Sequence, residues 1–182
     1  MMETIGTWAK MLIFVMMGAL SLTSCDKDEM KAANLDGTWE GDFFMTYEND
    51  FGLWNATSTV IEFHQKPFKN YGIGYQTDFY PIGCPVQQTF FEFDWSVDNG
   101  DITLVYPTNL ALNTVIRGYR MSSSTFYGRI GDTKKQFSLR KVEDYDWGIY
   151  SDRVNQYYYS RTRSAADTDN NTKNVKRVIP NE

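Results

Sequence analysis

Through the middle of the chain, apolar and polar residues alternate one by one. Trp39, Gly41, Phe43, Met45 and Tyr47 share one side of a segment whose other side carries Glu40, Asp42 and Thr46, the period-two pattern of a half-buried strand. Asn49-Asp50 with Gly52 marks a turn. Thr57, Thr59, Ile61 and Phe63 make a second strand, closed by Pro67. Residues 71–80 form a third, where Gly72 and Gly74 announce a bulge or a close backbone approach. In the fourth, Phe91, Phe93, Trp95 and Val97 oppose Glu92, Asp94, Ser96 and Asp98, and Asn99-Gly100 signals a type I′ hairpin into residues 101–106. Three more segments follow around Val115–Met121, Phe126–Ile130 and Phe137–Leu139.

Eight strands joined mostly by short turns predict an all-β, eight-stranded antiparallel meander. Closure into a barrel over residues 37–142 removes exposed edges, and a two-sheet sandwich is the competing arrangement. After Val142 the alternation stops. Residues 143–159, with Trp147, Ile149 and Tyr150, read as one helical turn or a strap on the barrel, ending in Tyr157-Tyr158-Tyr159. Residues 160–182 show no apolar period and read as a disordered, solvated tail, in which Lys173, Lys176 and Arg177 make too thin a basic patch for a polyanion.

The N-terminus follows different rules. Lys10 precedes an apolar run from Met11 to Leu22, shorter than the roughly 20 residues of a membrane span and laid out as a secretory signal. Composition then narrows the picture. The chain has 182 residues, and 29 of them are aromatic (12 Phe, 12 Tyr, 5 Trp), an excess that suits strands. An isoelectric point near 4.9 argues against nucleic acid as partner. One His and two Cys leave little material for a metal site or a disulfide framework, and no cofactor is expected.

Leu22-Thr23-Ser24-Cys25 resembles the lipobox of bacterial lipoproteins, which implies cleavage between Ser24 and Cys25 and acyl chains on the Cys25 sulfur. An uncleaved anchor, or an ordinary cleavage site with an incidental Cys, is the plain alternative. Residues 25–36 then read as an acidic, solvated tether, and Asp26-Lys27-Asp28-Glu29 resembles the stretch after the lipid Cys in surface-exported lipoproteins of Bacteroides-type bacteria. That resemblance implies an outer-membrane, surface-exposed protein. Under the enterobacterial rule, Asp after the Cys implies inner-membrane retention instead. Residues 25–159 carry net charge −7 (12 basic, 19 acidic), partly masked by a tail of net +2.

Asp36-Gly37-Thr38-Trp39 is similar to the Gly-x-Trp opening of lipocalins and related calycin barrels, and with the lipobox the chain resembles small lipocalin-like lipoproteins of Bacteroides-type bacteria. The resemblance implies a Trp39 that closes one barrel end beneath an Arg of the last strand. Arg140 is near that position but alternates out of phase with Phe137 and Leu139.

Candidate chemistry is sparse. Cys84 with His64 is the obvious thiol–base pair, but no third residue orients it; Cys84 reads as buried and inert, and His64 as facing solvent or a barrel mouth. Glu92 with Asp94, and Glu40 with Asp42, lie opposite apolar faces and read as outer surface. Gly72-Ile73-Gly74 lacks the third Gly of a nucleotide loop. No catalytic set results. The remaining candidates are aromatics expected on the inner face: Trp39, Phe43, Tyr75, Phe79, Phe91, Phe93 and Trp95. Such residues either fill a barrel or line a cavity for one small apolar or aromatic ligand. The expected function is therefore a lipid-anchored, non-enzymatic binding barrel of the envelope. Its alternative is a filled barrel that contacts an envelope protein.

Overall fold

A computed structural model describes residues 25–142 and 173–180. The expected signal segment 1–24, the strap 143–159 and the tail outside 173–180 lie beyond the described residues. The elements are helix α1 (Cys25–Leu35), then strands β1 (Gly37–Asp42), β2 (Met45–Asn49), β3 (Gly52–Asn55), β4 (Ser58–Gln65), β5 (Tyr71–Phe79), β6 (Gln88–Asp98) and β7 (Asp101–Val105). A short 3-10 turn (Leu110–Leu112), β8 (Thr114–Met121), β9 (Thr125–Ile130), β10 (Gln136–Val142) and β11 (Val175–Arg177) complete the set.

Eight strands close a single antiparallel barrel. β4 to β10 follow one another as neighbours, and β1 closes the ring by pairing with both β4 and β10. The meander is thus a barrel and not a sandwich. Asn99 (φ 49°) and Gly100 (φ 84°) make the expected tight hairpin between β6 and β7.

Three sequence expectations are corrected. The first predicted strand breaks after Asp42, where Phe44 turns to φ 59° and its N–H donates to Asp42 Oδ1 at 2.8 Å. This local bond competes with strand continuation, and the turn lets Phe43 and Phe44 both bury. β2 and β3 consequently leave the barrel as a hairpin in a separate three-stranded sheet of order β11-β2-β3.

Second, residues 25–35 are a helix and not a solvated tether. Asp28 and Glu29 lie in its first turns, where the helix dipole favours negative charge. Ala32 and Leu35 are buried against the barrel end, and Leu35 O accepts from Trp39 Nε1 at 2.8 Å. Asp28 accepts from the Asn99 N–H and Asp36 from the Gln65 N–H, tying this segment to two barrel turns. Third, the tail contains β11, with Val175 fully buried.

The cation over the Trp39 indole is Lys141, at 5.2 Å from the ring centroid, and its ammonium also donates to Asp36 O. Arg140 instead reaches Glu40 on the outside, at 2.6 Å. Arg140, out of phase with Phe137 and Leu139, is thus not the capping residue, and a lysine, its neighbour Lys141, takes the place over the ring where the resemblance implies an Arg.

Inside, the barrel is packed ring against ring. Phe126 meets Trp39 at 5.5 Å, Phe137 at 5.1 Å and Tyr119 at 6.0 Å between centroids, all edge to face. Phe63 meets Phe93 and Trp95 in the same manner at 5.5 and 5.6 Å. Replacing Phe126 by Ala should lower unfolding free energy by about 3–5 kcal/mol, the usual loss for a large core ring. Urea denaturation measures it, and a loss below about 1 kcal/mol would show that this ring is not part of the packing.

Candidate functional site

The register of β5 decides which predicted site residues meet. Gly74 pairs with Phe93 and Gly72 with Trp95, so Gly72, Gly74, Gln76 and Asp78 face inward. A Cβ at Gly74 would overlap the Phe93 ring, and one at Gly72 would run into His64 O and press on the Trp95 indole. Tyr75 and Phe79 therefore point outward, half-buried, contrary to the expectation that they line the interior. Tyr75 stacks on Phe90 at 5.6 Å and meets the His64 ring at 5.7 Å on the outer face.

The other five predicted residues are inside. Trp39, Phe43, Phe91, Phe93 and Trp95 are all buried. They pack against further rings: Phe43 meets Phe137 at 5.1 Å, and Phe93 and Phe91 both contact Tyr106.

Sequence reasoning missed a polar cluster at the mouth opposite α1. Asp78 is wholly buried and accepts hydrogen bonds from Thr59 Oγ1 at 2.8 Å, Gln76 Nε2 at 2.9 Å and Thr89 Oγ1 at 3.3 Å. Gln76 Oε1 accepts from the Tyr106 hydroxyl at 2.6 Å. The Arg177 guanidinium stands over this chain, 3.5 Å from the Tyr106 oxygen and 4.6 Å above the Phe43 ring centroid. The Tyr80 hydroxyl, also buried, has no hydrogen-bond partner among the described residues. One signal was available: Gln76 and Asp78 share the phase of Gly72 and Gly74, so accepting the glycines as inward places the polar pair inside too.

Burial pushes the Asp78 carboxyl up to about 6, against the opposing pull of its Thr59 and Gln76 bonds and of Arg177. The same desolvation raises Tyr106 to about 12 and lifts Tyr80 further. The cluster is thus an acceptor held in low dielectric, able to pair with a cation at the mouth. It is not a nucleophile with a base.

Cys84 and His64 do not meet. His64 pairs with Ile73 near the start of β5 and its Nε2 lies 3.3 Å from the acceptor Glu62 Oε2, whereas Cys84 is buried in the loop beyond the end of β5. Glu92 and Asp94 are on the outer face as expected. Among the described residues, no group of three or more His, Cys, Asp or Glu converges in a way that could hold a metal ion.

Two hollows among the described residues lie outside the barrel. They adjoin, measure about 360 and 270 Å³, and share Tyr71, Gly72 and Asp94. The first is bordered by His64, Lys66 and Ile73, the second by Ser96, Thr103 and Val105. Tyr71, Ile73 and Val105 are each about two-fifths exposed (41, 44 and 40%), apolar side chains on the outer face of β5–β7, with Asp94 of β6 between Ile73 and Val105. Lys66 Nζ hangs 5.6 Å over the Tyr71 ring.

Comparison with models of protein families, with curated proteins and with solved structures finds no match.

The raised Asp78 titration has a signed consequence. A carboxyl whose folded value exceeds its unfolded value of 3.8 binds protons more tightly when folded, so stability falls as pH rises through the window from about 4 to about 6. Relative to Asp78→Asn, the wild type should lose up to about 3 kcal/mol between pH 4 and pH 7. Paired denaturation curves at the two pH values measure this, and parallel pH profiles in the two proteins would contradict it.

Proposed function

We propose that the chain is a lipid-anchored, non-enzymatic interaction module of the cell envelope, a filled barrel that binds through the outer face of β5–β7. The observation that carries this reading is the contrast between the two faces of the same strands. Inward rings pack edge to face, while the outward side presents Tyr71, Ile73 and Val105 beside the hollows. A partner seated there gains apolar burial from these side chains and orientation from Asp94 between them and from His64 and Lys66 beside them.

A second reading moves the expected small apolar or aromatic ligand from the interior to the larger hollow. Its volume of about 360 Å³ favours this, since small-molecule sites commonly span roughly 300–1,000 Å³. Tyr71 then supplies a ring face, and Asp94 and His64 the few polar contacts.

Anchoring rests on the lipobox-like Leu22-Thr23-Ser24-Cys25. α1 begins at Cys25 and packs on the barrel end through Ala32 and Leu35, so acyl chains on that residue hold the barrel end close to the outer membrane with a helix between. Cys25→Ala should release the protein from membranes into the soluble fraction. Unchanged retention after carbonate washing rules lipidation out.

The binding face is tested separately. A photo-crosslinking residue placed at Ile73 in intact cells should give a discrete adduct, a protein or a small molecule according to which reading holds. The same probe at Tyr127, on the strand across the barrel, should not. Tyr71→Ala should cut the adduct roughly tenfold, as expected when an interface anchor is truncated, with thermal stability kept. Equal adducts at positions 73 and 127 would remove the case for this face.

A further inference from the structure

The barrel mouth holds a segment that the barrel does not need for closure. β11 follows β10 after 32 intervening residues (143–174), is three residues long, and among the described residues pairs only with β2, outside the closed ring. Its main chain is gripped at several points. Asn174 O accepts from the Glu48 N–H and the Val178 N–H donates to Phe44 O, both at 2.9 Å. Asn109 Nδ2 donates to Val175 O at 3.1 Å, and Thr46 Oγ1 to Lys176 O at 3.1 Å.

Two side chains of the segment enter the mouth, and the one between them does not. Val175 is fully buried. Arg177, on the same side of the strand, lies over the Phe43 ring and donates to Leu112 O at 2.9 Å, above the Tyr106–Gln76–Asp78 chain. Lys176 points to solvent, where it pairs with Glu48 at 2.6 Å. Main-chain pairing for affinity with alternate side-chain pockets for specificity is the logic of strand addition to a sheet edge.

The Arg177 seat suits a planar cation. The Phe43 ring face, the Leu112 carbonyl and the Tyr106 oxygen meet the guanidinium, whose Nε is buried without a hydrogen-bond partner among the described residues, and the negative field behind them comes from buried Asp78.

We propose that the barrel mouth is a strand-addition site for extended peptides bearing an apolar residue and an arginine two positions later, and that residues 174–178 are a tethered occupant which such a peptide displaces. The tether raises the local concentration of the resident segment, so a free peptide competes at a disadvantage in the intact chain. This site is separate from the β5–β7 face and does not depend on it.

The test uses the full chain carrying Arg177→Ala, which weakens the resident segment, and a fluorescent synthetic peptide spanning residues 173–180 of the natural sequence. The peptide should bind the variant saturably and roughly tenfold more tightly than it binds the wild-type chain. Its own Arg→Ala version should bind the variant roughly tenfold more weakly than the natural peptide does. No saturable binding to a cooperatively folded variant overturns the proposal, as does equal binding of the two peptides. Loss of cooperative folding in Arg177→Ala also overturns it, because an exchangeable occupant is dispensable to the barrel. Hydrogen exchange on the wild-type chain reads the same point without substitution. The Glu48 and Val178 amides, paired across this contact, should exchange roughly a hundredfold faster than interior amides of β5 and β6, through local opening. Equal rates would make the segment part of the barrel's cooperative unit and sink the idea.

Discussion

Everything in this barrel depends on how eight strands accommodate rings that are too large for them. Phe93 and Trp95 fit the interior because the residues paired with them across the sheet, Gly74 and Gly72, have no side chain. The aromatic interior and the small residues on β5 are therefore one feature, since neither is tolerable without the other. Once those rings are in place, they meet Phe63 and Tyr106, and through Phe63 and Phe126 the contact runs on to Trp39 and Phe137. This network of ring contacts, mostly edge to face, runs across the interior from β6 to β1, β9 and β10.

The two ends are closed by different means. At one, α1 lays Ala32 and Leu35 over the opening, with Trp39 bonded to Leu35 O and covered by Lys141. The indole N–H finds a partner, and the helix loses a carbonyl that would otherwise lack one. At the other end closure is polar, with Asp78, Gln76, Thr59 and Thr89 bonding one another beneath Arg177. A buried carboxylate costs several kcal/mol unless it is well bonded and faces a cation. A barrel selected only for stability would be better served by an apolar layer there. The polar end therefore gives charge a role at that mouth, and Arg177, which reaches it, belongs to a segment distant in the chain.

Much of the fold was legible in the sequence, because its strongest signals are local. β6 alternates without a break and ends in Asn99-Gly100, both at positive φ as a tight hairpin requires. β5 was legible as a strand but not in its facing, since one phase carries Tyr71, Ile73, Tyr75 and Phe79 and the other Gly72, Gly74, Gln76 and Asp78. By apolarity the first phase should be inward. The deciding fact is non-local: Phe93 and Trp95 need the space, and the pairing register supplies it. The break at Phe44 hid for the opposite reason, because the alternation of Phe43, Met45 and Tyr47 continues through a turn set by one Asp42 bond. α1 and β11 were missed because composition registers charge, and each element buries only one or two apolar residues, Ala32 and Leu35 in the first and Val175 in the second.

Charge gives the last step. The segment 25–159 carries net charge −7 while residues 160–182 carry +2, so attraction between the two is already favoured before any contact forms. Within that long-range bias, the local chemistry selects one residue. Lys176 stays in solvent opposite Glu48, where its charge is screened, and the neighbouring Arg177 enters a seat in which a ring face and a fixed carbonyl suit a flat, delocalised cation better than an ammonium. A basic tail collapsed on an acidic surface by charge alone would not distinguish the two side chains. The alternation of Val175 inward, Lys176 outward and Arg177 inward is instead imposed by pairing with β2, so the contact is one of shape and register in which charge supplies only the approach.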